Sequence, residues 1–320
     1  MDGFTVKTCK IKQKNATFPY FLSKNSTPVI TFFAGLPPLL MPLLTTVPAL
    51  RQHLLPARQA GKTIGLVPTM GALHAGHLRL IAQAKAECDL VVCSIFVNPT
   101  QFNNPADLAR YPRTLEQDTA RLETVGTDVI FAPDVAQMYP QPTALRLDFG
   151  PLETVLEGAS RPGHFNGVGL VVSKLFHMVQ PHRAYFGQKD LQQVAVVRRL
   201  VTDLSFPLEL VCCPTIREAD GLAMSSRNRL LSPQERTWAP RLFAALALAQ
   251  NALLAGQSAE SAIAQARQYI AKQPAFTLDY LAVVDPNTLM PLPGRGAPGQ
   301  TAICVAAQLG NVRLIDNVVF

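Results

Sequence analysis

The amino-acid sequence predicts an α/β fold: a parallel sheet with helices on both faces, followed by a smaller α+β region. Three observations carry this. Short apolar runs rich in Val and Ile, Leu90–Val97 above all, read as strands buried on both faces. Segments of helical periodicity separate them, and strand–helix–strand repetition gives parallel strands joined by crossovers. After Asn228 the order changes to two successive helices and then strands, which marks a second unit.

In chain order, a helix is predicted over Pro48–Ala60, opened near Thr46 and ended by Gly61. Thr63–Val67 reads as a strand stopped by Pro68. Leu78–Glu87 reads as a helix, with Leu78, Ile81, Ala82 and Lys85 at helical spacing. The strand Leu90–Val97 follows, then one charged helix over Asp107–Val125 and a strand over Asp128–Ala132. Helices Val168–Val179 and Leu191–Leu200 flank a strand at Ala184–Phe186, and Leu208–Cys213 reads as the last buried strand. Beyond it, helices are predicted over Ser232–Leu254, with Ser232 as N-cap, and over Ser258–Lys272. Strands Thr277–Val284 and Thr301–Ala307 then flank a Pro/Gly-rich loop at Pro291–Gly299. The expected organisation is an extension over 1–40, a main α/β domain over 41–215 and an α+β domain over 216–320.

Composition sets outer limits. A chain of 320 residues, 48% hydrophobic and 16% charged, is globular and long enough for a large core. The net charge of +7 suits a polyanionic partner, either nucleic acid or a triphosphate, and equally suits a mildly basic protein with neither. Aromatic residues make up only 7%, and no basic stripe with interleaved aromatics stands out beyond residue 40, which argues against nucleic acid. The cysteines Cys9, Cys88, Cys93, Cys212, Cys213 and Cys304 form no C-x-x-C pair and mostly sit in apolar runs. They read as buried free thiols of a reducing, cytoplasmic compartment, and no Cys/His cluster suggests zinc.

Residues 1–40 differ from the rest. Lys7, Lys10, Lys12, Lys14 and Lys24 oppose one acid, Asp2, with no Arg, which speaks against a transit peptide. The uncharged stretch from Pro28 to Leu50 is broken by Pro28, Pro37, Pro38, Pro42 and Pro48, which is poor for a spanning helix, so no membrane association is expected. With Met41 just before the first helix, this segment reads as a poorly ordered, dispensable extension from an upstream start codon. Asn15-Ala-Thr and Asn25-Ser-Thr match a glycosylation pattern too frequent by chance to weigh.

In open parallel sheets ligands bind at the carboxyl ends of the strands, so the polar residues that follow each strand are the candidates. Pro68-Thr-Met70-Gly71-Ala72-Leu73-His74-Ala75-Gly76-His77 joins a strand to a helix. Glycines permit close backbone approach, the helix start favours an anion, and two imidazoles there can donate to phosphoryl oxygens. A lone histidine at a turn would be a surface residue; H-x-G-H at a strand end reverses that judgement. Asn98 and Gln101 follow the central strand, where an Asn-Pro turn is the plain alternative. Glu157-Gly-Ala-Ser-Arg161-Pro-Gly-His164 fits a ligand loop and a flexible surface loop equally well. Gly187-Gln188-Lys189-Asp190 opens a helix with a phosphate-suited lysine, though Asp190 alone reads as a cap. Met224-Ser225-Ser226-Arg227 suits a triphosphate tail on a mobile loop, or a polar interdomain linker.

Together these segments resemble the nucleotidylyl-transferase superfamily and, within it, the pantothenate synthetases (pantoate–β-alanine ligases). Phe96-Val-Asn-Pro-x-Gln-Phe, Tyr111-Pro-Arg-Thr, Arg161-Pro-Gly-His-Phe, Phe186-Gly-x-Lys-Asp-x-Gln-Gln, Asp220-Gly-Leu-Ala-Met-Ser-Ser-Arg-Asn and the closing Arg313-Leu-Ile-Asp316-Asn317 carry the resemblance with H-x-G-H, from about residue 41 to the end. His177, His182, Gln188 and Ile216 depart from the usual family residues. The resemblance implies a Rossmann-like domain with a C-terminal lid, and a homodimer. It implies Mg2+-dependent condensation of pantoate with β-alanine, by way of pantoyl adenylate, with release of pyrophosphate and AMP. By the same resemblance Met70 to His77, Gly187 to Asp190, Ile216 and Met224 to Arg227 hold ATP. His77 is catalytic, His74, Lys189, Ser226 and Arg227 assist on the phosphates, Gln101 meets both pantoate and β-alanine, and Gln193 meets pantoate; Asn98, by its place at the strand end, is the further substrate candidate. The rivals are an adenylyl-transferring enzyme for another acid and a catalytically silent nucleic-acid-binding relative.

Overall fold

The computed structural model describes residues 41–320, which form one compact unit. The expectations for residues 1–40, including Cys9, Asn15 and Asn25, fall outside the described residues. Six strands build a parallel sheet: β1 (Leu43–Leu44), β2 (Ile64–Thr69), β3 (Leu90–Ile95), β4 (Val129–Phe131), β5 (Arg183–Gly187) and β6 (Glu209–Cys213). Their spatial order is β1-β4-β3-β2-β5-β6, so the chain winds outward one way from β2 and the other way from β5. The loops after β2 and β5 therefore part at a topological switch point, where a crevice opens.

Strand alternation explains why both faces carry helices. Ile64, Leu66 and Val92 join a core with Leu50 and Leu54 of helix Val47–Gln59 and with helices His164–Val179 and Leu191–Asp203. Val67, Val91 and Cys93 point the other way, onto Leu80, Ile81 and Ala84 of helix Ala75–Glu87 and Leu122 of helix Leu115–Thr124. Each fully buried leucine or isoleucine of this kind contributes roughly 1.5–3 kcal/mol.

The C-terminal part is antiparallel: β7 (Phe276–Val284), β8 (Ala302–Leu309) and β9 (Val312–Val319), in that order. Ile303, Val305 and Ala307 face helices Arg241–Leu254 and Ala259–Ala271. Ala302 and Cys304, one step out of phase, join the core of the parallel sheet together with Val284 and Leu289. The α/β sheet with helices and the smaller α+β portion are as the sequence predicts.

Several boundaries differ for identifiable reasons. β2 runs through Pro68 to Thr69. Thr63 and Thr69 offer their carbonyls to the β3 side and Ile64 to the β5 side, so Pro68, an even position, faces β5 beyond the last paired residue and forfeits no ladder bond. The expected helix Asp107–Val125 is two, Pro105–Arg110 and Leu115–Thr124, because Pro112 holds Tyr111 in extended backbone (ψ 127). Ser232–Leu254 also divides, into Pro233–Trp238 and Arg241–Leu254 at Pro240, here because proline offers no amide to the helix ladder while Ala239 stays helical. β6 lies at the sheet edge and is mostly unburied, so Cys212 is exposed while Cys88, Cys93, Cys213 and Cys304 are buried.

Candidate active site

The loop after β2 is built from inside. Gly71 (φ +80) and Ala72 (φ +50) turn the chain in left-handed backbone, and Asp118, almost fully buried, accepts from the amides of Ala72 (2.9 Å) and Leu73 (2.8 Å) and from Thr114 Oγ1 (3.0 Å). Arg121 donates to the carbonyl of Leu73. The turn delivers His74 as N-cap of helix Ala75–Glu87, with Nδ1 accepting from the Gly76 amide at 3.2 Å. His77 Nδ1 accepts from the His74 amide at 3.3 Å, a capping box made of two imidazoles. With both Nδ1 atoms accepting, each neutral ring carries its proton on Nε2. The rings lie 4.1 Å apart by centroid. Burial lowers His74 to about 3, aided by His77 and Lys189; burial and then Lys189 lower His77 to about 4.

His74 and His77 share one cleft with Met70, Gly76, Gln101, Gly187, Lys189, Asp190, Gln193, Ile216 and Met224, Ser225, Ser226 and Arg227. It opens at the carboxyl ends of β2, β3, β5 and β6, in the crevice where the strand order reverses. Gly71, Ala72, Leu73, Ala75 and Gln188 do not line it: the first three are buried on the inner side of their own loop, and Gln188 donates to Asn317 Oδ1. Lys189 Nζ stands 3.6 Å from Asp190 Oδ1, and Arg227 is 3.7 Å from Asp107.

Asn98 lines the cleft yet is only 1% exposed, and its amide is engaged internally. Its Nδ2 donates to Gln101 Oε1 (3.1 Å) and to the Gly167 carbonyl, while Oδ1 accepts from Tyr139 (2.8 Å) and Thr100. Asn98 therefore sets the Gln101 side chain, whose Nε2 points at Met70 Sδ. The adjacent glutamines divide similarly. Gln192 is buried, donating to the carbonyls of Leu152 and Val155, whereas Gln193 faces the cleft.

The glycine-rich segment 157–167 is an ordered wall of the site. Glu157 is buried and held by both arms of Arg313 at 2.7 Å and by Tyr280 at 2.8 Å. Burial alone would raise its carboxyl, but Arg313 outweighs burial and holds it below the ordinary range. Four residues on, Arg161 lines the cleft and donates to His164 Nε2 at 3.2 Å. His164 Nδ1 must donate to the Gln101 carbonyl, 2.9 Å away, so its tautomer is opposite to that of His74 and His77. Its own pKa is lowered to about 4, by burial first and Arg161 second. The floor is apolar: Val168, Val171, Val172 and Leu175 present one face of helix His164–Val179.

Sequence reasoning named Arg161, His164 and Tyr111 within motifs but not as cleft residues, and missed Asp118 and Asp316 as supports. The arginine–histidine spacing was a usable signal. A lone aspartate inside a charged helix, as at Asp118, offers none. Ser225 caps the short turn Ser226–Leu230, and Asn228 bonds Glu218 and the Ala223 carbonyl, so the Met224–Arg227 segment is braced within the fold.

Fold and cleft together define an α/β enzyme that works on a phosphate-bearing ligand at the switch point of its sheet. The pantoate–β-alanine ligase family model matches residues 42–319, and the chain belongs to that family. It is 50% identical to a pantothenate synthetase of Moorella thermoacetica over 87% of this chain and 98% of that one. It is 53% identical to another from Koribacter versatilis over 81% and 89%. The crystal structure of the Thermus thermophilus pantothenate synthetase superposes with TM-score 0.82 at 48% identity, covering 87% of this chain and 99% of that one. A Francisella tularensis pantoate–β-alanine ligase, complexed with β-γ ATP and β-alanine, gives TM-score 0.72 at 35% identity over 87% and 97%.

Proposed function

We propose that this cleft joins pantoate to β-alanine at the expense of ATP. The carboxylate of pantoate attacks the α-phosphorus, the bond to pyrophosphate breaks, and pantoyl adenylate forms. The free amine of β-alanine then attacks the acyl carbon, AMP leaves and the nitrogen gives up its proton. The observation that carries this is the convergence of His74, His77, Lys189 and Arg227 on one cleft with Gln101 and Gln193.

The imidazoles work as neutral donors. Their Nε2–H groups, at the positive end of helix Ala75–Glu87, stabilise charge that grows on the phosphoryl oxygens as pyrophosphate departs. Lys189 and Arg227 hold the outer phosphates, with Ser225 and Ser226 beside them. Gly76 and Gly187 admit the nucleotide closely, and Met70, Ile216 and Met224 bound it. Gln101, fixed by Asn98, and Gln193 orient pantoate over the apolar floor, so positioning supplies much of the rate.

Mg2+ fits as an ion carried by the triphosphate. The described residues hold no cluster of three His, Cys, Asp or Glu able to cage a metal, and Mg2+ commonly takes one or two carboxylates plus phosphates. Asp190, exposed at the cleft, is the carboxylate that would hold it; bound there, the ion neutralises phosphate charge. We further propose a homodimer in the cytoplasm, with residues 216–320 as a lid on a domain of residues 41–215. No helix among the described residues is long and apolar enough to cross a membrane.

Pantoate-dependent exchange of pyrophosphate into ATP, run against a panel of carboxylic acids, tests the reaction. Exchange indifferent to pantoate would defeat it.

A further inference from the structure

The closing segment Arg313-Leu-Ile-Asp316-Asn317 has no place in that mechanism, and none of its polar residues lines the cleft. Yet all three reach from β9 to a segment that carries a cleft cation. Arg313 grips Glu157, four residues before Arg161. Asp316 takes both arms of Arg217 (2.6 and 3.0 Å), which lies over the Phe243 ring and bridges Ala223, next to Met224. Asn317, 3% exposed, donates Nδ2 to the carbonyls of Gln188 and Lys189, both at 2.9 Å, and its Oδ1 accepts from Gln188 Nε2. Buried polar groups are costly unless paired, and each of these pairs with a segment outside its own sheet, Arg313 holding Asp279 of β7 as well.

The third contact is the most directed. The turn Gln188–Asp190 has no side-chain cap of its own. One amide from β9 therefore fixes two successive carbonyls of that turn, and with them the backbone from which Lys189 reaches toward the imidazoles.

We infer that Asn317 is a positioning residue of the adenylation step: it sets where the Lys189 ammonium stands, and it acts through Lys189 alone. The inference rests on Lys189 as a contact to the outer phosphates. Asn317→Ala, Lys189→Ala and the double variant, each confirmed folded by thermal melt, are compared in two assays. One is pantoate-dependent pyrophosphate exchange; the other is calorimetric binding of a non-hydrolysable ATP analogue and of AMP. Asn317→Ala lowers exchange about 10–100-fold, in kcat rather than in the KM for pantoate. It weakens the triphosphate analogue, leaves AMP unchanged and adds nothing to the loss in Lys189→Ala. Asn317→Ser, which keeps a single donor, falls between and replaces the alanine variant if that one does not fold. Losses that multiply in the double variant, equal losses for AMP and the analogue, or unchanged exchange overturn the inference. Triphosphate binding that depends on Lys189 and Asn317 without pantoate-dependent exchange in the unaltered protein would refute the reaction and leave the coupling standing.

Discussion

Gly76 offers the sharpest test of the imidazole pair, because the perturbation is one methyl group. A Cβ at this position would lie 2.8 Å from His74 Cε1 and 2.9 Å from Nδ1. Ordinary contact begins near 3.4 Å, so the ring must retreat by about 0.6 Å. Gly76 is not in left-handed backbone, so alanine meets no dihedral strain. The retreating ring weakens its bond from the Gly76 amide and turns against His77, 4.1 Å away. Loss of an N-cap contact costs about 0.5–2 kcal/mol, while glycine to alanine in a helix returns up to about 1 kcal/mol. Stability therefore changes little. Catalysis does not share that compensation, since displacement by about 1 Å can cost roughly 10²-fold. Gly76→Ala is expected to melt within a few degrees of the unaltered protein and to lose about 10–100-fold in pyrophosphate exchange. Exchange within about twofold of normal would show that the His74 ring position is irrelevant to the step.

The same geometry sets three further expectations. His77→Ala removes one charge-stabilising donor and lowers adenylation about 10²–10³-fold; near-normal exchange would take His77 out of the mechanism. In the ligand-free protein both imidazoles stay neutral well below 6.5, with pKa values of about 3 and about 4. An unfolded chain takes up protons first, so their contribution to stability is full above about pH 6.5 and declines as pH falls toward 4. Nitrogen NMR should report Nε2–H tautomers with no titration midpoint near 6.5, and such a midpoint in either ring would contradict the assignment. Deletion of residues 1–40 leaves turnover unchanged, because the family match starts at residue 42 and β1 keeps its pairing with β4. Deletion through Thr46 removes β1 and the cap of the first helix, and a melting temperature equal for both truncations would argue against that account.

What the sequence made legible follows from what each element buries. β3 and β5 lie inside the sheet and are chiefly apolar, broken only by Ser94 within β3 and Arg183 at the start of β5, so they could be read directly. β1 has two residues and no period to detect. β9 escaped because Arg313, Asp316 and Asn317 interrupt an otherwise apolar strand; only their partners in other segments explain why polar residues sit there. H-x-G-H was visible because two copies of a rare residue type and a glycine converge within four positions. Asp118 was invisible because its role lies in the amides of Ala72 and Leu73, more than forty residues away. Pro112 and Pro240 stand in plain view at the two helix breaks: the first holds Tyr111 extended, the second lacks the amide that a helix interior needs, and either overrides periodicity.

These supports share a logic. Asp118, Glu157 and Asp316 are buried carboxylates, and each is engaged away from the cleft: by loop amides, by Arg313 and by Arg217. None lines the cavity. Among the cleft-lining residues the carboxylate is Asp190, against the cations Arg161, Lys189 and Arg227. Had the anchoring acids stood in the cavity, they would have neutralised the field that a triphosphate needs and raised the cost of binding it. Set one layer back and paired there, they hold the loops still while the cavity stays cationic. In the proposed reaction the two histidines complete the arrangement: they donate hydrogen bonds without carrying charge, and so follow the negative charge as it moves toward the leaving pyrophosphate, without binding it so firmly that release becomes slow.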